Sequence, residues 1–297
     1  MPNIDFQTSA HDKCILAGEH AVMRGYPALV LPILEKKLTL SYSSSFDQAW
    51  TLNDPLTPSV LYDLFWSTLK HSLQVLNKKI PDDLKNHFLL ENHIEMGAGI
   101  GFSAALCVVI TRWLIWKEWL EEKNLFSFAR DLEHLFHGQS SGIDIAGAIS
   151  QRIVSFTMPN QIHEIASQWQ PKLFLSYSGI NKKTKDANNI VRKLMEEQPK
   201  LGKLIDNQMT NSVFIIEEAL RIDKTEGLKL LVKGIEQAQD CFKQWGLITP
   251  VLQQHLNDLY QLGALATKPT GAGIGGYVLS VWESAPPANS SIQFMTA

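Results

Sequence analysis

The chain has 297 residues, 45% of them hydrophobic, enough for a large core and, by length, for two lobes. Its 27 basic and 30 acidic residues leave a formal net charge of −3 with no long single-sign run. That excludes the electrostatic footprint of a nucleic-acid or anionic-membrane binder and favours a small-molecule partner.

The opening segment MPNIDFQTSAHDK lacks a basic stretch followed by an apolar one, so no secretory signal is expected. From Lys13 to Tyr42 short β-rich runs alternate with Gly and Pro and predict strands joined by tight turns. Apolar residues spaced three and four apart predict helices over 58–77, 104–122 and 126–137. The most apolar of these, AALCVVITRWLIWKEWL (104–120), is interrupted by Arg112, Lys117 and Glu118 and is too broken for a membrane span. Trp113, Trp116 and Trp119 fall three apart on it and read as a packed helix stripe. The runs RIVSFTM (152–158) and KLFLSYSG (172–179) predict further strands. A basic turn, NKKTKDANN, leads into helices near 189–198, 201–221 and 225–244. The C-terminal text passes from a helix through a glycine loop to the β run YVLSVW. Strands and helices mix without a βαβ repeat, which predicts an α+β fold, with a lobe boundary near 168 (1–168 and 169–297). Cys14, Cys107 and Cys241 share no C-x-x-C spacing and sit among apolar neighbours, the setting of buried thiols in a reducing, cytoplasmic compartment.

Two glycine loops carry the chemistry. In GAGIGFSAA (97–105) bare backbone feeds a helix beginning near Ser103, so that N–H groups and the helix N-terminus can converge on a phosphate; a tight turn is the alternative. No G-x-x-x-x-G-K-[ST] occurs, which excludes a P-loop. GAGIGG (271–276) fits G-x-G-x-x-G, but a strand and not a helix follows, so a dinucleotide unit is excluded and a backbone wall close to a ligand fits better.

Charged residues embedded in apolar or glycine-rich text complete the inventory. Lys13 precedes a predicted strand and Glu19–His20 follows it, where loop residues face clefts; a solvated lysine and a turn glutamate are the alternative. Glu133 lies on a helix, and Asp144 follows a Gly-Ser turn, where it could be an N-cap. His93, His134, His137 and His255 lack metal-site spacing, and no serine sits in G-x-S-x-G. Backbone donors, a hydroxyl, carboxylates and a lysine are together the parts of a phosphoryl-transfer site.

At KCILAGEHAVMRGYPAL (13–29), GAGIGFSAAL (97–106), EHLFHGQSSGIDIA (133–146) and KPTGAGIGGYVLSV (268–281) the chain resembles the GHMP family of small-molecule kinases, with the motifs in the family's order across nearly its whole length. The resemblance implies an N-terminal ribosomal-protein-S5-like lobe that binds nucleotide and a C-terminal ferredoxin-like lobe. It implies ATP and Mg²⁺ as cofactors, with Gly97, Ala98, Gly99, Gly101, Ser103 and Ala104 in the phosphate loop and Ser103 and Glu133 as metal ligands. Asp144 falls at the catalytic aspartate, with Lys13 pairing with it to lower the pKa of the substrate hydroxyl. Glu19, His20, Thr270, Gly271 and Ala272 match positions beside the acceptor, which GEHAV implies to be (R)-mevalonate, phosphorylated on its primary hydroxyl. A homodimer is implied as well. The chain departs from the family pattern at Glu95 and Phe102 in the second motif, at Gln139 and Ser140 where Asn-Pro is common, and at Ile274 in place of a glycine. Two alternatives carry over: a sibling kinase acting on phosphomevalonate or homoserine, and a silent ligand-binding member of the fold.

Overall fold

A computed structural model describes residues 4–44, 59–79, 88–95, 101–180 and 184–297. Strands and helices mix as the patterning predicts, in an α+β arrangement. The chain divides into two compact units whose segments alternate: one is Met1–Asp12, Leu34–Ile94 and Gly101–Ile149, the other Lys13–Ile33, Glu95–Ile100 and Ser150–Ala297. Two long strands, β1 (Phe6–Ala17) and β2 (Ala28–Tyr42), each contribute to both units.

In the first unit the end of β2 pairs antiparallel with β3 (Phe88–Asn92), from Leu38 opposite Asn92 to Tyr42 opposite Phe88. Three helices complete its core, α1 (Ser59–Val75), α2 (Phe102–Trp116) and α3 (Leu125–His137), with the short α4 (Ile143–Ile149) packed on α2 and α3. Rings of Tyr42, Phe65, Trp66, Phe88 and Trp113 meet edge-on or tilted, a geometry that adds to simple burial. The tryptophan stripe is corrected here. Only Trp113 is buried, α2 stops at Trp116, and Glu118 adopts a φ of 57°, turning the chain so that Trp119 packs back on Trp113 at 5.6 Å. Trp116 stays 39% exposed beside Phe6, with the Lys117 ammonium 4.8 Å from its ring and 4.4 Å from that of Tyr42.

In the second unit the start of β2 pairs with β4 (Val154–Thr157), which pairs with β5 (Gln161–Glu164). A separate sheet has the order β7 (Ala266–Pro269), β8 (Tyr277–Trp282), β6 (Lys172–Tyr177), β9 (Met295–Thr296). Helices α5 (Thr184–Glu197), α6 (Pro199–Arg221), α7 (Lys224–Gln244) and α8 (Pro250–Gln261) account for the rest. Every residue of β8 is buried because both faces are covered: Leu279 and Val281 face α6 and α7, while Val278 and Trp282 meet Leu252, Leu256 and Leu259 of α8. Local chemistry sets the helix starts. Asp223 accepts from the amides of Thr225 and Glu226 at α7, and Thr249 accepts from that of Leu252 at α8, whose first residue is Pro250.

Strand β7 is not among the predicted elements, which pass from a helix through a glycine loop to YVLSVW; it is buried and pairs with β8. Lys13 is likewise not ahead of a strand but inside β1. The three cysteines are buried free thiols, and no described helix is long and apolar enough to cross a membrane.

Candidate active site

The GEHAV segment is built on one glycine. Gly18 ends β1 at φ 101°, and a Cβ there would lie 2.3 Å from Cβ of Ala28, so no other residue fits this turn. Beyond it Glu19 and His20 fold inward, and a single 3₁₀ turn, Ala21–Arg24, leads to β2. Arg24 grips the buried carboxylate of Asp206 on α6 through Nε and Nη2 together.

These inward residues are locked onto the second glycine loop and the strand that precedes it. Lys268 Nζ forms an ion pair with Glu19 Oε1, donates to the Ile15 carbonyl at 3.0 Å, and lies 5.4 Å from the Phe242 ring centroid. Both charges are buried, at 0% and 2% side-chain exposure, so the solvated-lysine and turn-glutamate alternative fails for this segment; Lys13, 2% exposed, is buried too. Burial pushes the Glu19 carboxyl up, and the Lys268 ammonium pulls against it. Thr270 Oγ1 accepts from the Ile15 amide at 3.0 Å and lies 3.5 Å from Cys14 Sγ, whose thiol burial holds at about 11. His20 sits edge-on to Trp245 and Phe242, with Nε2 2.9 Å from the Ala272 carbonyl. A carbonyl only accepts, so Nε2 carries the proton. Burial lowers the imidazole pKa to about 4 and keeps it neutral. Lys13, Glu19, His20, Thr270, Gly271 and Ala272 are therefore all in the second unit, where His20 meets Ala272, Glu19 meets Lys268 and Ile15 meets Thr270.

The first unit holds the other group. Helix α2 begins at Phe102, capped by Gly101 at φ 119°, which places Ser103 and Ala104 in its first turn. Gly97, Ala98 and Gly99 lie outside the described residues. Glu133 on α3 is fully buried, and its charge adds to burial in pushing up the Cys107 thiol of α2. Asp144 is the second residue of α4. It is not the N-cap: the amides of Gly142 and Ile143 are met by Ser140 Oγ at 3.0 Å and Ser141 Oγ at 3.2 Å. Among the described residues no group of three His, Cys, Asp or Glu side chains forms a metal cluster. Ser103, Glu133 and Asp144 offer oxygen donors alone, which suits Mg²⁺ over softer metals, and the α2 N-terminus suits an anionic phosphate.

Two departures acquire a place. Ser140 Oγ donates to Glu133 Oε2, so a residue outside the family pattern positions the carboxylate. Glu95 accepts from the Tyr277 hydroxyl, which gives its carboxylate a partner in its own unit. Ser140, Tyr277, Lys268 and the Arg24–Asp206 pair escaped sequence reasoning. Lys268 carried a signal, a charge directly before the glycine loop; the others had none short of the fold.

Residues 64–152 match the family described as GHMP kinases N terminal domain. The chain is 26% identical to mevalonate kinase of Pyrococcus horikoshii, over 90% of this chain and 86% of that protein. It is 26% identical to mevalonate kinase of Archaeoglobus fulgidus, over 96% and 95%. Among solved structures, L. major mevalonate kinase in complex with R-mevalonate superposes with a TM-score of 0.77 at 22% identity, covering 100% of this chain and 98% of that one. Streptococcus pneumoniae phosphomevalonate kinase gives 0.67 at 18%, covering 94% and 93%. Residues 64–152 thus resemble the N-terminal domain of the GHMP kinase family, and the chain shares the fold of a solved mevalonate kinase. It is similar to mevalonate kinases along nearly its whole length.

Proposed function

We propose that the protein transfers the γ-phosphoryl group of ATP to the primary hydroxyl of (R)-mevalonate, giving 5-phosphomevalonate for isoprenoid precursor synthesis. The observation that carries this reading is the joining of Glu19 to Lys268 at the end of β7 and of His20 to Ala272 in the glycine loop that follows. MgATP supplies the transferable phosphoryl group. The α2 N-terminus with Gly97, Ala98, Gly99, Gly101 and Ala104 holds the phosphates, and Ser103 and Glu133 hold Mg²⁺. Asp144 takes the proton of the acceptor hydroxyl, and Lys13 makes that hydroxyl more acidic. Glu19, His20, Thr270, Gly271 and Ala272 bind the acceptor. With its Nε2 proton committed to Ala272, neutral His20 offers Nδ1 as an acceptor, suited to a substrate hydroxyl. The lobe assignment, nucleotide on 1–168 and the rest on 169–297, and a cytoplasmic setting, which the free thiols support, belong to the same reading.

A phosphorylated acceptor is less well served. Arg24 and Lys268 are each committed to a carboxylate, Asp206 and Glu19, which leaves them less available to a second phosphate. Initial rates of ADP release with mevalonate, phosphomevalonate, homoserine and galactose test the choice. Mevalonate should have the highest kcat/KM by several orders of magnitude. Turnover of phosphomevalonate or homoserine alone would keep the machinery and discard the acceptor, and ATP binding without turnover would favour a silent scaffold.

A further inference from the structure

His20 is held in a backbone conformation that residues with a side chain rarely adopt. Its φ is 57° and its ψ −45°, and the Ala21 amide donates across it to the Glu19 carbonyl at 2.5 Å. These angles and that bond make His20 the centre of a γ-turn of the rare, strained hand. Such a turn persists only where its surroundings over-determine it.

Two restraints act on the His20 side chain itself, the Nε2 bond to the Ala272 carbonyl and the edge-on rings of Trp245 and Phe242. A third acts from the far end of the same turn. The His20 carbonyl accepts from the Met23 amide at 3.2 Å and that of Gly18 from the Val22 amide at 3.0 Å, so the 3₁₀ turn is tied to the γ-turn before it. Arg24 closes the 3₁₀ turn and reaches α6, where Nε donates to Asp206 Oδ2 at 2.6 Å and Nη2 donates to Oδ1. A fork gripping both carboxylate oxygens fixes direction as well as distance, which a single bond does not. The anchor is firm: Asp206 is 1% exposed, while Arg24 keeps 28% of its side chain in solvent. Burying a carboxylate for an ion pair gains little net stability once desolvation is counted, so its use here is to fix geometry.

We propose that Arg24 and Asp206 are a positioning pair for the acceptor: by pinning the end of the 3₁₀ turn to α6 they hold the strained turn at His20, and with it the imidazole Nδ1 that meets the acceptor hydroxyl. The proposal rests on the acceptor role given to His20 above. Both residues act through His20 and neither meets the reacting atoms.

Steady-state kinetics and imidazole NMR of the full-length protein test the pair. Asp206→Asn conserves volume but sets an amide NH₂ where Arg24 needs an acceptor. It should raise KM for mevalonate about tenfold, with kcat and KM for ATP within about twofold of wild type, the pattern of a lost binding interaction and not of lost chemistry. Arg24→Gln should do the same, and the double variant should be no worse than the worse single, because the two side chains act as one. In ¹H–¹⁵N spectra of the ligand-free protein, assigned with His20→Gln, wild-type His20 should carry its proton on Nε2 and titrate at about 4, whereas in Asp206→Asn it should lose the single tautomer and titrate closer to 6.5. Arg24 and Asp206 are the charges that bear on His20, and loss of the Asp206 charge alone would move its titration downwards, so the sign separates displacement from simple electrostatics. A wild-type chain that leaves mevalonate unphosphorylated would overturn the acceptor reading. Wild-type turnover of mevalonate, with variants that match it in KM and in His20 titration, would overturn the pair alone, as would a loss confined to kcat or single effects that add in the double variant.

Discussion

Asp144, in the first turn of α4, is the residue to which the proposed reaction gives the acceptor's proton. Asp144→Asn should lower kcat by about two to four orders of magnitude, the range of a positioned acid–base group, with KM and thermal stability little changed; near-wild-type turnover in a steady-state assay would remove the role. Lys268 and Glu19 make a different kind of statement. Removing one member of a buried pair strands the other, so Lys268→Met should cost roughly 3–5 kcal/mol in urea denaturation, far more than loss of an exposed ion pair. His20 is a pH-dependent liability. Its pKa is about 4 when folded against an ordinary 6.5, so below pH 6.5 the unfolded chain binds a proton that the folded chain refuses. Stability is therefore full above pH 6.5 and falls as pH drops towards 4. Between pH 6.5 and 5 the loss from this group is on the order of 2 kcal/mol. His20→Gln, whose amide can still donate to the Ala272 carbonyl, should show a correspondingly shallower decline in denaturation free energy; parallel curves for the two proteins would show that His20 does not titrate this way.

At the scale of elements, the second glycine loop shows how a rule can be broken and compensated. Ile274 stands where the family has glycine and holds φ at 57°, a conformation costly for a β-branched residue, by about 1–2 kcal/mol. Its side chain is 6% exposed in the second unit's core, and its amide donates to the Leu247 carbonyl at 2.8 Å. Loss of a buried isoleucine costs about 2–5 kcal/mol, so burial outweighs strain. Ile274→Gly should therefore destabilise the protein by about 2–4 kcal/mol despite restoring the family residue, and a higher melting temperature for that variant would reverse the ranking. The helices were legible because their patterns are local: α6 and α7 lie within a few residues of the periodic runs that predicted them. Strand β7 was not, because Lys268 and Pro269 are poor strand residues whose burial depends on Glu19 and β8, far away in sequence. The tryptophan stripe failed for a related reason. Spacing of three fits a helix as long as the helix continues, and periodicity alone did not reveal the turn at Glu118.

At the scale of the molecule, the four separated motifs fall on a chain with the fold of a mevalonate kinase structure, whose two compact units are built from interleaved segments. The residue types of the site were legible at Lys13, Glu19, Ser103, Glu133 and Asp144 because charge and hydroxyl stand out against apolar or glycine-rich text. The residues that hold two of them in place, Ser140 on Glu133 and Lys268 on Glu19, were not, because a supporting role exists only in the folded contact. The account stands most directly on the identity of its product. Purified protein, MgATP and (R)-mevalonate should yield a new phosphomonoester signal by ³¹P NMR, together with ADP, on a compound whose mass is that of mevalonate plus one phosphoryl group and whose phosphorus couples to the C5 protons. No phosphorylated mevalonate under conditions where the protein binds ATP, or phosphate attached at the tertiary C3 hydroxyl, would contradict it.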